Sequence, residues 1–220
     1  AGQFKDSHWA SWGDHFMVDL EIKTIDQHIL NGNLVLDIGC ANGYSTFRQY
    51  LNGKAKSIVG VDFSERMIAE AIHAKEERFP DASLSFEVGD VRKLRFDAEC
   101  FDIVYTTRCL INLHTWDEQI TGINESLRVT KSGGKIVLSE GFWEPLALLN
   151  SFRLLKQLPP LVEHDFNRYL KKEKLESYLV SRGLRYEVED FSSIYYLGSR
   201  FLRELITDAA EYPGFSNPIN

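Results

Sequence analysis

Cysteine, methionine and proline are scarce in this chain, with three, two and six residues among 220. The cysteines are odd in number, and Cys40, Cys100 and Cys109 each lie in or beside an apolar segment. That excludes a disulfide frame and a zinc site, and it predicts reduced thiols in a cytoplasmic protein with no metal. No run approaches the ~20 apolar residues of a membrane span, and AGQFKDSHWA lacks the apolar core of a signal peptide. Positive charge is not in excess either. Against 32 Asp and Glu stand 25 Lys and Arg, a net charge of -7. Nucleic acid, which needs a basic face to neutralise its phosphates, is therefore not the expected partner. What remains is an ordinary globular composition, 44% apolar and 26% charged, and the length sets one domain as the default.

The informative stretch is Leu34 to Thr46, LVLDIGCANGYST. Leu34-Val35-Leu36 is a short apolar run of the kind found in buried strands. Asp37 breaks it, and Gly39-Cys40-Ala41-Asn42-Gly43 supplies small residues for a tight turn. Glycine has no Cβ, so the backbone can take positive φ and a ligand can approach it closely. A helix pattern follows from Tyr44 to Leu51. Strand, glycine turn and helix form the first unit of a nucleotide-binding sheet, with ligand at the strand's carboxyl end. The spacing is Gly39-x-Ala41-x-Gly43, not that of a dinucleotide fold, and Asp37 precedes it. A pyrophosphate favours a helix N-terminus, and Asp37 would repel it. A cofactor with a cationic centre and no phosphate, such as S-adenosylmethionine, suits an acidic turn better.

Four more strands follow, the first and third of them each leading into a helix. Ser57 to Val61 reads as a strand ending at Asp62, with Ser64 as N-cap of a helix carrying Met67 in its second turn. Asp62 lies 19 residues beyond Gly43, near the ~20 expected for a carboxylate on a ribose diol. Leu84 to Val88 is a third strand ending at Gly89-Asp90-Val91, where Asp90 can accept from an adenine amino group. Phe101 to Tyr105 is a fourth, followed by Thr106 to His114 and a helix from about Thr115 to Val129. Lys131-Ser132-Gly133-Gly134 turns into a fifth, Lys135 to Ser139. The alternation predicts a Rossmann-like, doubly wound α/β sheet with helices on both faces. Ahead of it, Met17 to Leu30 reads as an amphipathic helix. It is either packed on the sheet edge or a lid in which Trp12 or Phe16 shields the reaction from water.

LVLDIGCANG, GVDFSERM, FEVGDV, FDIVYTTRCLINL and LRVTKSGGKIVLSE, in this order, resemble the successive motifs of class I S-adenosylmethionine-dependent methyltransferases. The resemblance covers residues 34–140. It implies that Asp37, Gly39 and Gly43 surround the methionine part of the cofactor, Asp62 the ribose, and Asp90 with Val91 the adenine. Cys40, Phe63, Met67 and Thr107 sit beside these motifs and join the expected cofactor shell. Ala41 stands where a glycine is frequent, and Thr130-Lys131-Ser132 replaces the usual Leu-Lys-Pro. The expected organisation is one methyltransferase domain over 1–220. It comprises a helical lid (1–33), a cofactor core (34–140) and a substrate region (141–220). A helix from about Lys171 to Arg182 ends at Gly183. Tyr186 to Asp190 and Ser192 to Leu197 read as the antiparallel closing strands of that family.

Methyl transfer is a direct displacement, so alignment supplies most of the catalysis, roughly 7–11 kcal/mol. An oxygen nucleophile also needs a base, and histidine is the default near neutrality. His114 and His164 are the candidate bases. Glu140 is a third, or a metal ligand, and His15 a fourth. Trp12, His15, Arg108, Asn112 and Glu140 are the candidate acceptor contacts, with Arg108 suited to an anionic group. The stretch after strand four, and FSSIYYLGSR at 191–200, are similar to methyltransferases of bacterial surface-sugar pathways. The expected acceptor is a hydroxyl or amine of a small polar molecule, a sugar or nucleotide-sugar first. The alternatives are a cofactor-binding domain without turnover and an NAD-type oxidoreductase.

Overall fold

The computed structural model describes residues 13–206. Among these, five strands make one sheet: β1 (Leu34–Ile38), β2 (Ser57–Asp62), β3 (Leu84–Val88), β4 (Phe101–Thr107) and β5 (Thr130–Ser139). Their order is β3-β2-β1-β4-β5, with every neighbouring pair parallel. The order reverses between β1 and β4, and sheets of this kind hold ligands at that switch point, beyond the strands' carboxyl ends. Val35, Leu36, Asp37 and Ile38 are buried in succession rather than alternately. Both faces of β1 are therefore covered, which is why it reads as a continuous apolar run.

Helices α1 (His15–Asp26), α2 (Tyr44–Leu51), α3 (Glu65–Arg78) and α4 (Trp116–Val129) accompany the sheet. Ser64 caps α3, its hydroxyl accepting from the Met67 amide at 3.4 Å. Thr115 and Glu118 form a reciprocal capping box on α4. One core joins Ile25 of α1, Phe47 of α2 and Ile68 of α3 to Val35, Ile58, Phe86 and Ile103 of the strands. Helix α1 is docked, not loose. It buries Met17, Val18, Ile22 and Ile25, and its Ile22 carbonyl accepts from Gln49 Nε2 at 2.8 Å. Asp19 and Asp26 pair with Arg48 at 2.6 Å and Lys54 at 2.7 Å. Phe16 is 37% exposed, and Trp12 lies outside the described residues.

The chain divides into two compact units, 1–140 and 141–220. The second holds α5 (Trp143–Leu155), α6 (Lys172–Ser181), α7 (Ser193–Leu197), a wide helical turn over Gly198–Leu202 and α8 (Arg203–Ile206). A parallel bridge pairs Phe142, just before α5, with Leu170, which precedes α6. Arg153 is buried among them, donating to the Pro159 carbonyl at 2.9 Å and pairing with Glu204 at 2.8 Å. The closing strands expected at 186–190 and 192–197 are not formed. Residues 184–191 carry no regular structure, and 193–197 is helix. The cause is local: Asp190 accepts from the Ser193 amide at 3.0 Å and from its hydroxyl. Such side-chain bonds to the backbone start a turn that the strand propensity of the Ile-Tyr-Tyr run does not overcome. No helix among the described residues is long and apolar enough to cross a membrane.

Candidate active site

The glycine turn after β1 lies at the switch point and is held against β2. The amides of Gly39 and Cys40 both donate to the Val61 carbonyl, at 2.7 and 3.1 Å. Gly39, Ala41 and Gly43 all take positive φ, at 84°, 48° and 79°. Left-handed alanine is uncommon, and here Asp62 holds it, Oδ2 accepting from the Ala41 amide at 2.9 Å. Asp62 Oδ1 accepts from the Ser64 amide at 2.8 Å. A carboxylate has about four lone-pair positions, so two stay available for a vicinal diol. Phe63 beside it is 75% exposed, an apolar ring at the mouth of the strand ends.

Asp37 is different. It is 1% exposed and accepts from the Thr46 hydroxyl at 2.6 Å, tying α2 to β1. Burial pushes its pKa from 3.8 up to about 6, against the pull of the Thr46 and Tyr105 hydroxyls, with the Asp62 charge adding to the rise. It lines a small recess with Gly39, Cys40, Asn42, Tyr44, Ser45 and Thr107. The Thr107 hydroxyl oxygen is buried there with no hydrogen-bond partner among the described residues. Buried hydroxyls are normally satisfied. A group that brings a polar atom into this recess supplies what the protein lacks, and the amino-acid end of S-adenosylmethionine has both an ammonium and a carboxylate. The site thus fits that cofactor at two points, the recess and the Asp62 lone pairs.

The raised pKa of Asp37 has a stability consequence. The folded state holds this proton more tightly than the unfolded chain, so this carboxyl's contribution to stability is full below about pH 4. It falls as pH rises through about 6. Each pKa unit is worth about 1.4 kcal/mol. Asp37→Asn, which keeps an acceptor for Thr46, is expected to be about 1–3 kcal/mol more stable than wild type at pH 7.5. Near pH 4 the two should be equal. Denaturant unfolding at several pH values reads this, and a difference that does not grow with pH removes the assignment.

Asp90 is engaged by Arg92, whose guanidinium reaches its Oδ2 at 2.6 Å and Glu118 at 2.5 Å. The Arg92 guanidinium holds the Asp90 carboxyl below the ordinary carboxylate range. Val91 beside it is buried, and Met67 is half-buried on α3.

After β4, Arg108 takes φ 48° and pairs with Glu21 of α1 instead of facing outward as an anion receptor. Glu21 is buried, and burial raises its pKa while Arg108 opposes the rise. Asn112 Nδ2 donates back to the Arg108 carbonyl at 2.8 Å. Glu140 is half-buried and not idle. Its Oε1 accepts from the Thr106 hydroxyl at 2.6 Å and the Cys109 and Leu110 amides at 3.1 Å, and its Oε2 from the Ile111 amide at 3.3 Å. Burial raises its pKa against those four donors. Burial also pushes the Cys40 and Cys109 thiols up, so neither is a poised nucleophile.

Of the histidines, His114 is exposed at the end of that loop, its amide donating to Glu118 Oε2 at 3.1 Å. His15 is half-buried with its ring 4.0 Å from Phe16. His164 belongs to the other unit, exposed and stacked flat on Phe166 at 5.2 Å. Within unit 1–140, then, Asp37, Gly39, Cys40, Gly43, Asp62 and Thr107 come together around one turn. Glu21, Thr46, Arg92 and Glu118 were not singled out in the sequence. Only Glu118 had a signal there, since Thr115-Trp116-Asp117-Glu118 is the capping-box pattern.

Comparison with known proteins agrees with this geometry. A model of the methyltransferase domain matches residues 29–190. A ubiquinone biosynthesis O-methyltransferase of Coxiella burnetii is 28% identical over 187 residues, covering 83% of this chain and 76% of its own. A demethylmenaquinone methyltransferase of Beutenbergia cavernae is 34% identical over 135 residues, covering 60% of this chain and 52% of its own. Among solved structures, the [4+2]-cyclase SpnF superposes with a TM-score of 0.62 at 23% identity, covering 80% of this chain and 60% of that one. A shared fold carries no activity by itself. The family match does, and the chain belongs to the methyltransferase-domain family, the class I enzymes that use S-adenosylmethionine.

Proposed function

We propose that the protein transfers the methyl group of S-adenosylmethionine to a hydroxyl of a small molecule, with a phenolic hydroxyl of a quinone precursor as the leading acceptor. One observation carries the acceptor class. The match to the Coxiella burnetii O-methyltransferase runs over 187 residues, more than the 140 of the first unit, so the likeness extends into 141–220. We read the two units as parts of one methyltransferase domain, with the cofactor in 34–140 and acceptor recognition drawing on 141–220.

The bound cofactor supplies an electrophilic methyl on a positively charged sulfur. The chain's residues bind and orient. Asp62 is assigned the ribose diol, Asp90 and Val91 the adenine edge, and the turn from Gly39 to Gly43 with Thr107 the methionine end. His114 and His164, both exposed, remain the candidate bases for the acceptor hydroxyl. A sugar or nucleotide-sugar hydroxyl or amine is the second acceptor reading, resting on the residues around 191–200.

The test is turnover of the full chain with S-adenosylmethionine against hydroxybenzoates, catechols and nucleotide-sugars, read as S-adenosylhomocysteine formed and product mass. Methylated phenol is the expected product, and methylated sugar selects the second reading. Cofactor binding without any product favours a binding domain without turnover. With an acceptor in hand, His114→Ala or His164→Ala should lower kcat at least about 100-fold at unchanged cofactor affinity, the low end of general-base contributions.

A further inference from the structure

The segment from Thr106 to Thr115 joins β4 to α4, and its backbone is held by two carboxylates, one from the first turn of α4 and one from the end of β5. At the far end Glu118 Oε2 accepts from the His114 and Thr115 amides, at 3.1 and 3.2 Å. At the near end Glu140 accepts from three consecutive amides, Cys109, Leu110 and Ile111, and from the Thr106 hydroxyl. Within the near anchor, between Thr106 and Cys109, the chain passes through Arg108 at φ 48°, whose amide donates to the Ser139 carbonyl at 2.8 Å. A non-glycine residue stays in that conformation only where its surroundings over-determine it. The residues so fixed form one wall of the recess at the glycine turn. Thr107 lines that recess, and the Cys109 Cβ lies 2.8 Å from where a Cβ on Gly39 would be.

We infer that Glu140 is a positioning residue for methyl transfer, acting through the backbone of residues 109–111 and not by touching acceptor, methyl or metal. This rests on the proposed methyl transfer and deepens it. Sequence alone places Glu140 at a strand end among acceptor contacts. The structure gives its carboxylate four donors already, which leaves little capacity for a substrate proton. Displacement of a methyl demands alignment, and a misplacement of about 1 Å can cost about 100-fold in rate. The ribose and adenine contacts assigned to Asp62 and Asp90 lie at the ends of other strands, and Thr107 is held in β4 by its pairing with Ser139, so cofactor affinity depends far less on residues 109–111.

The variants Glu140→Ala and Glu140→Gln separate the possibilities. Glutamine keeps one carbonyl oxygen, whose two lone pairs face the three donors that share Oε1, whereas alanine leaves all four donors unmet. The expected pattern is a kcat lowered at least about 30-fold in Glu140→Ala. S-adenosylhomocysteine binding by calorimetry should change less than about 5-fold, and Glu140→Gln should recover most of the rate. Independently of any acceptor, amide hydrogen exchange at 109–111 should quicken in both variants, more in Ala, while the sheet amides of 34–38 and 101–105 stay protected. Unchanged turnover in Glu140→Ala overturns the inference. So does a parallel loss of turnover and cofactor affinity, which would mark collapse of the recess. If Glu140→Ala does not fold, exchange and kcat in Glu140→Gln decide, and unaltered exchange at 109–111 overturns it. A protein that binds no S-adenosylmethionine at all while 109–111 exchange responds as stated defeats the methyl-transfer reading and leaves the loop anchoring intact.

Discussion

Replacing Asp62 with alanine should raise the dissociation constants of S-adenosylmethionine and S-adenosylhomocysteine at least about 100-fold, and by the same factor for both. Two hydroxyls on one ionised carboxylate are worth roughly 1.5–3 kcal/mol each, and every 1.4 kcal/mol is about tenfold in affinity. The ribose is identical in the two ligands, so a diol contact cannot distinguish them. Unequal weakening would mean that the carboxylate senses the sulfonium charge instead. Part of the effect is indirect, because Asp62 also accepts from the Ala41 and Ser64 amides, at 2.9 and 2.8 Å. Losing these should cost about 1–2 kcal/mol of folding stability, well short of unfolding a domain of this size. Calorimetric titration beside thermal unfolding measures both. Binding retained within about 5-fold removes Asp62 from the ribose site.

Much of the cofactor half was legible because its signals are local. The bounds of α2 and β3 follow from an apolar run beside turn residues, and Ser64 and Thr115 announce their helices by type and spacing. The three acids at strand ends are visible as pattern breaks, and parallel strands place all three at one edge. What they do there was not visible. Asp37 and Asp62 look alike in sequence, yet one is 1% exposed under α2 while the other faces the turn mouth half-buried. That difference comes from Thr46, nine residues on, and from which face of the sheet the side chain joins. Arg108 reads as an open cation until Glu21, 87 residues away, is brought to it. The anchoring by Glu140 spans 29 to 34 residues and has no periodicity to betray it. In the second unit the error ran the other way. Propensity favoured strands at 186–190 and 192–197, yet 186–190 is irregular, and the bonds from Ser193 to Asp190 start a turn that leads into helix at 193–197.

The glycine turn offers the sharper test, because two glycines of nearly equal φ sit in opposite surroundings. Gly39 has φ 84°, and a Cβ there would stand 2.8 Å from Cys109 Cβ and 3.2 Å from its sulfur. Gly53 has φ 76° with nothing within 4 Å. Both alanine substitutions force an L-residue into the left-handed region, about 1 kcal/mol at an open site. Only Gly39→Ala adds a steric conflict, of the order of 1–3 kcal/mol for an overpacked site. Gly53→Ala should therefore lose about 1 kcal/mol of stability and keep full cofactor affinity. Gly39→Ala should lose about 2–4 kcal/mol and at least about 10-fold in S-adenosylmethionine binding, because the turn and the Thr107–Cys109 segment are pushed apart at the recess. Cys109→Ser should not rescue it, since the obstacle is the Cβ that serine shares, and this separates crowding from any role of the thiol. Equal behaviour of the two alanine variants would reduce the turn to a matter of backbone conformation. Recovery by Cys109→Ser would place the conflict at the sulfur.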